Sequence, residues 1–295
     1  MKQRKALRRL LQEKDLVVAP VCVSPMTARV VEQCGFQVAY LGGYALGCTT
    51  CITEPLTNMV ELASDASRIA RRISLPLIVD GNAGFGEPMH TRRMIEELIW
   101  SGIAGAHIED QHFPKRAHYH RDYIEHTTTL TDLVQKISMA HQARQELDPD
   151  FLIIGRTDAI RTDGYDEGVH RATAMLTAGA DMVMLFPDDE AQARSLPRDV
   201  PGPVVYVNSL GNRIGRPVFA NEELADLGYK MVIDAMTGLL LSYKTARDSY
   251  QHFAKTGESA LAQEEAVELR KELEDLIGME AYYQMEEQTV EPPPA

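Results

Sequence analysis

The sequence predicts an α/β protein, a (β/α)₈ TIM-type barrel with an additional C-terminal helix. Three observations carry that expectation. Eight short runs rich in β-branched residues alternate strictly with eight stretches of helical pattern before residue 255. The runs are continuously apolar, as a parallel sheet covered on both faces requires. No glycine-rich dinucleotide turn follows the first run, which disfavours the alternative, an open flavodoxin-like or Rossmann-like sheet. A chain of 295 residues has room for one barrel of about 250 residues and an extension.

The strands are expected at 16–21, 38–41, 76–80, 105–109, 151–156, 182–186, 203–207 and 230–233. Between and after them, helices are expected at 26–35, 59–73, 89–101, 130–147, 166–178, 189–195, 221–227 and 236–254. Gly35, Gly102, Gly179 and Gly228 stand just past the periodic part of their helices, where a left-handed residue ends the turn. Lys255-Thr-Gly-Glu-Ser reads as a break, 260–287 has helical composition, and Pro292-Pro-Pro-Ala reads as a frayed end. The expected organisation is therefore a barrel domain at 1–255 and a helical extension at 256–295. A helix beyond a complete barrel needs somewhere to dock, and a neighbouring subunit supplies such a place. The plain alternative is a solvated acidic tail.

Composition narrows the function. An apolar fraction of 44% excludes a long disordered chain. No run of about 18 apolar residues occurs, so no membrane-spanning helix is expected. The N-terminus is basic but lacks an apolar signal core, which makes the cytoplasm the expected location. A net charge of −13 argues against a protein that tracks a nucleic-acid backbone. That charge is uneven: residues 261–295 hold ten acidic side chains against Arg270 and Lys271. Cys48-Thr-Thr-Cys51 has the spacing of a redox pair or half a zinc site, but Cys22 and Cys34 do not form a second pair. Reduced thiols in the barrel interior and a loop are the expectation.

Barrel chemistry sits at the C-terminal strand ends. There the sequence places Asp80, His107, Glu109, Asp110, Arg156, Asp158, Asp188, Asn208 and Asp234. Asp80 and Glu109 from adjacent strands make an oxygen-rich pocket suited to a hard divalent cation. Arg156 among them offers a fork for a carboxylate or phosphate. Singly, each has a structural role open to it, such as capping the next helix in the case of Asp158 and Asp188; jointly they favour a site able to stabilise an enolate. The loop from Gln111 to Tyr123 is basic, aromatic and His-rich inside an acidic protein. It reads as a lid whose Lys115, Arg116 and His118 meet an anionic substrate.

At these residues the sequence resembles the isocitrate lyase/phosphoenolpyruvate mutase superfamily, especially its 2-methylisocitrate lyase and carboxyphosphonoenolpyruvate mutase branch. The ordered motifs are Tyr40-Leu-Gly-Gly43, Asp80-Gly-Asn-Ala-Gly-Phe-Gly86, His107-Ile-Glu-Asp-Gln111, Phe113-Pro-Lys-Arg116, Gly155-Arg-Thr-Asp-Ala159, Phe186-Pro-Asp188 and Asn208. The resemblance implies a barrel with a swapped C-terminal helix in homodimers or homotetramers. It also implies Mg²⁺, or Mn²⁺ in its place, and a small 2-hydroxy or 2-oxo carboxylate substrate reacting through an enolate. By the same resemblance, Asp80 is the direct metal ligand, with Glu109, His107 and Asn82 completing the metal group and Glu54 near an additional loop carboxylate. Arg156, Asn208 and Asp188 hold substrate beside Gly42 and Gly43, and Tyr40, Lys115, Arg116 and Arg156 join the catalytic set.

Four positions depart from the pattern. Ala117 stands where the lyases carry a lid cysteine, so His118, Tyr119 or His120 must deliver the proton if the chain is a lyase. Asn82 replaces an aspartate, Gly42 a serine, and Asp188 a glutamate. The leading expectation is a C–C bond lyase. A 2-oxo acid decarboxylase, hydrolase or phosphonomutase follows, and third is a barrel that has lost catalysis and only binds a metabolite.

Overall fold

The computed structural model describes residues 2–116 and 126–291. Eight parallel strands run in the order β1-β8-β7-β6-β5-β4-β3-β2. They are β1 (Val17–Pro20), β2 (Ala39–Leu41), β3 (Leu77–Asp80), β4 (Gly105–Glu109), β5 (Leu152–Thr157), β6 (Met182–Leu185), β7 (Val204–Asn208) and β8 (Met231–Asp234). A parallel bridge between Val21 and Tyr40 brings the ends of the order together. The Cys22 N–H donates to Tyr40 O at 2.8 Å beside that bridge. The strands lie where the apolar runs placed them.

Alternate residues of each strand feed two cores. Val17, Ala19, Ile78, Leu152, Ile154, Met182, Met184, Val205, Met231 and Ile233 pack inside the barrel. Their neighbours Val79, Ile153, Val183 and Val232 face the helices outside. This double burial is why the strands read as unbroken apolar runs. Cys22 belongs to the outer core, and its thiol is pushed up to about 12 by burial. The other three cysteines are exposed and all four are free, so the expected thiols are present but do not line the interior.

The helices, in chain order, are α1 (Lys2–Glu13), α2 (Pro25–Gln33), α3 (Gly43–Thr50), α4 (Met59–Ala70), α5 (Pro88–Trp100), α6 (Leu130–Leu147), α7 (Ala159–Asp163), α8 (Tyr165–Thr177), α9 (Glu190–Asp199), α10 (Asn221–Leu227), α11 (Thr237–Thr256), α12 (Gln263–Ile277) and α13 (Met279–Thr289). Side chains start several of them. Ser24 and Asn58 form capping boxes on α2 and α4, and Thr129 and Asp189 cap α6 and α9.

Three elements had no sequence signal strong enough to read: α1, α3 and the short α7. Helix α1 seals the barrel floor. Leu7 and Leu10 enter the inner core. The buried Arg4 donates to Ile103 O at 2.7 Å and to Asp148 Oδ2 at 2.5 Å, while Arg8 reaches Asp181 at 2.7 Å. The N-terminal basic cluster is thus structural, satisfying carbonyls and carboxylates at the strand starts.

Two compact units partition the chain, Met1–Leu239 and Leu240–Ala295. In the second, the single helix expected at 260–287 is two, α12 and α13, broken at Gly278 with φ +76°. Leu273, Ile277, Tyr282 and Met285 there are exposed. Among the described residues no helix is long and apolar enough to cross a membrane.

Candidate active site

The strand ends meet in a cavity of about 400 Å³. Tyr40, Gly42, Gly43, Glu54, Asp80, His107, Arg156 and Phe186 line it. Strand register explains part of this convergence: Asp80 pairs with His107 across β3 and β4, and Glu109 with Arg156 across β4 and β5.

Gly43 permits the closest approach. Its N–H donates to Asp80 Oδ2 at 3.2 Å, and a Cβ there would lie 3.0 Å from Asp80 Oδ2 and from Glu54 Cδ. At Gly42 a Cβ would meet the Tyr40 ring at 2.9 Å. Glycine at position 42 therefore leaves room for the large ring two residues earlier. Tyr40 Oη lies 2.8 Å from His107 Nε2, and His107 Nδ1 lies 3.5 Å from Asp80 Oδ1. Burial lowers His107 to about 4, so the imidazole is neutral at pH 7. Burial, reinforced by nearby carboxylates, holds Tyr40 well above the ordinary phenol range and keeps it protonated.

A second row of charges lies behind. Lys115 is nearly fully buried, donates to Glu54, and stands 2.9 Å from Glu109 Oε1. Arg156 Nη1 approaches Glu109 Oε2 at 2.8 Å, and its other edge holds Asp158 at 3.1 and 3.2 Å. Gln111 donates to Asp158 as well. Burial pushes Glu109 up against the pull of Arg156 and Lys115. Burial opposes the ionised Asp80 too, but His107, Lys115 and Arg156 outweigh it and hold that carboxyl well below its usual range. For Lys115, burial is overcome by Glu109 and Glu54, and the ammonium is held above the ordinary lysine range.

Glu54, Asp80, Glu109 and Asp158 thus set four carboxylates against Lys115 and Arg156. His107 Nδ1 is buried without a hydrogen bond, and the two Glu109 oxygens meet Lys115 and Arg156 as ion pairs. Among the described residues no three Asp, Glu, His or Cys side chains form a ready cage for a metal. Mg²⁺ does not need one: it binds through one or two carboxylates and keeps several waters. The buried acidic surplus fits such an ion.

Several sequence-predicted residues are placed elsewhere. Asn82 has φ +53°, and its Oδ1 accepts the Ala83 N–H at 2.8 Å, so its carbonyl supports the turn rather than facing the cavity. The Asn82 N–H donates to Asp80 Oδ1 at 2.8 Å and helps to aim that carboxylate. Asp188 is exposed and outside the cavity lining; the next residue, Asp189, caps α9. Asn208 is turned away by its own loop, with Nδ2 donating to Phe219 O at 2.8 Å and Oδ1 accepting Phe219 N–H at 3.2 Å. Asp158 does not cap a helix but pairs with Arg156. Arg116 is exposed, and Ala117, His118, Tyr119 and His120 lie outside the described residues. The cavity wall also includes Ser209, which the sequence places at the end of β7, and Arg213 and Arg216, which the sequence did not single out because no strand or motif marks that loop.

An eight-stranded parallel barrel with acid, imidazole and guanidinium groups converging at its strand ends places those groups where barrel enzymes carry their active sites. Residues 7–254 match the family described as phosphoenolpyruvate phosphomutase, and the chain belongs to that family, within the isocitrate lyase/phosphoenolpyruvate mutase superfamily. It is 34% identical over 244 residues to a probable 2-methylisocitrate lyase of Corynebacterium glutamicum, covering 82% of this chain and 78% of the relative. It is 30% identical over 286 residues to the 2,3-dimethylmalate lyase of Eubacterium barkeri, covering 95% and 96%. A crystal structure of a 2,3-dimethylmalate lyase superposes with a TM-score of 0.88 at 26% identity, covering 98% of this chain and 95% of that one.

Proposed function

We propose that the protein is a Mg²⁺-dependent lyase that cleaves a C–C bond in a small 2-hydroxy carboxylate, with Mn²⁺ able to replace Mg²⁺. One observation carries the reading: buried carboxylates outnumber buried cations around Asp80, at the floor of a cavity that also presents Arg156. Relatives named 2-methylisocitrate lyase and 2,3-dimethylmalate lyase support the choice of reaction. Asp80 would hold the cation, with Glu54 and Glu109 beside it. When bound, the cation supplies the positive charge that a developing enolate needs.

The chain's own residues do the remaining work. Tyr40, kept protonated, donates to neutral His107, whose other nitrogen faces Asp80; the chain fixes the ring and aims the carboxylate. The Gly42–Gly43 backbone leaves room for substrate close to Asp80. Arg156, held in one pose by Glu109 and Asp158, presents a fixed positive charge toward a substrate carboxylate. His118, on sequence alone, is assigned the proton delivery that Ala117 cannot perform. Turnover should vanish on exhaustive chelation and return with added Mg²⁺ or Mn²⁺; full activity in the chelated enzyme would remove the reading. A 2-oxo acid decarboxylase, hydrolase or phosphonomutase is the second reading; release of a 2-oxo acid together with a second carboxylic acid from a 2-hydroxy carboxylate, without CO₂, distinguishes the lyase from all three.

A further inference from the structure

Loop 209–220 forms one wall of the cavity and is unusually well pinned. Asn208 grips both the N–H and the carbonyl of Phe219, at 3.2 and 2.8 Å. Tyr206 Oη donates to Pro217 O at 2.7 Å. Asn212 does to Arg216 what Asn208 does to Phe219: its Nδ2 donates to Arg216 O, and its Oδ1 accepts Arg216 N–H, each at 2.9 Å. The backbone that carries Arg216 is therefore fixed by three side chains. A guanidinium on a fixed backbone loses less conformational freedom when it meets an anion.

The head group is placed with equal care. The Arg216 guanidinium carbon lies 4.4 Å from the centre of the Phe186 ring, and the Arg156 carbon lies 4.6 Å from the same centre. The two positive groups are consequently no more than 9.0 Å apart. An aromatic ring attracts cations through its quadrupole, so Phe186 steadies two like charges within one cavity. A four-carbon skeleton spans about 4 Å between its terminal carbons, from bonds of about 1.5 Å. Adding a charge-assisted hydrogen bond of about 2.8 Å at each end lets a bent four-carbon dicarboxylate reach the Arg216 fork from the Asp80–Arg156 end of the cavity.

We propose that Arg216, stacked on Phe186, is a second carboxylate-recognition pole, so the substrate is a dicarboxylate held between Arg216 and the Asp80–Arg156 end of the cavity. This deepens the lyase reading and rests on it for the chemistry, but its test does not. Arg213, exposed at the rim of the same wall, adds positive charge along the entry. Asn208 becomes a positioning residue for the loop.

The test is calorimetric titration of the full-length protein with succinate, a dicarboxylate, and with pyruvate, a monocarboxylate, in the presence of Mg²⁺. Arg216→Gln should weaken succinate about 10- to 100-fold, the range for loss of a hydrogen bond to a charged group, and leave pyruvate within about twofold. Arg216→Lys, which keeps the charge but loses the planar fork, should recover part of the succinate affinity and serves if the glutamine variant does not fold. Equal loss for both ligands, unchanged succinate binding in the variants, or wild-type protein that does not bind succinate would each overturn the proposal. Pyruvate binding that ignores Mg²⁺ would count against the lyase reading alone.

Discussion

Gly43→Ala isolates the geometry of the acid cluster from the stability of the fold. The new methyl would sit 3.0 Å from Asp80 Oδ2 and from Glu54 Cδ and Cγ. Carbon contacts are comfortable at about 3.5–4.0 Å, so the overlap is roughly half an ångström. Overpacking of that size costs about 1–3 kcal/mol. Gly43 opens α3 without a left-handed φ, so alanine fits the backbone and returns up to about 1 kcal/mol of helix preference. The net loss is at most about 3 kcal/mol, which at roughly 2–4 °C per kcal/mol leaves the protein folded. The atoms that must yield are the two carboxylates. Sites tolerate about half an ångström of error, and a misplacement of about 1 Å costs about a hundredfold. The expected result is a 10- to 100-fold fall in kcat/KM with a rise in the Mg²⁺ concentration needed for half-maximal rate. Thermal unfolding beside steady-state kinetics separates the two effects. Full kcat/KM at an unchanged Mg²⁺ requirement would refute the placement of Asp80 at the reacting centre.

His118→Ala should cut turnover by about 100-fold or more if the imidazole delivers the proton, while substrate affinity changes little; an unaltered rate dismisses the assignment. Removing residues 260–295 should shift the sedimentation coefficient toward smaller species if the exposed apolar side chains of α12 and α13 join subunits, and an unchanged value ends that idea. Asp148, held below the ordinary carboxylate range by Arg4 against the effect of burial, adds stability that is complete above about pH 4 and is lost as pH falls through its depressed value. Asp148→Asn should therefore lower stability at neutral pH by about 3 kcal/mol and flatten its decline below pH 4, both read by urea unfolding. A variant with the wild-type acid slope would contradict the pairing.

The strands were legible because each must bury both faces, which leaves a run of apolar residues too consistent to mistake. Asp80, His107, Glu109 and Arg156 were legible because the ends of those strands are the one place where a polar residue interrupts the run. Helix α1 was not, since its buried face mixes Leu7 and Leu10 with Arg4, and an arginine in a core becomes intelligible only once its carbonyl and carboxylate partners are known. Asn208 misled for a related reason. An amide at a strand end can hold a ligand or a loop, and only the position of Phe219, eleven residues on, decides which. Glu54 and Arg216 lie on irregular segments whose path no periodicity encodes, so their arrival in the cavity is a property of the folded chain. Family resemblance reached Glu54 approximately and passed over Arg216.

The pairing of β1 with β8 carries a consequence for how the molecule is made. Val17 lies in register with Met231 and donates its N–H to Lys230 O at 3.0 Å, and Arg4 reaches across to Asp148. The first contact cannot form on the ribosome until most of the chain has emerged, and the second not until half of it has. During that interval β1 presents an open edge, and α1 has no floor to seal. Closing so long a loop makes such a topology slow to fold, at a stage when the exposed edge invites pairing with other chains. Substitutions at the β1–β8 seam should therefore reduce the yield of soluble protein more than they reduce the stability of the molecules that succeed in folding.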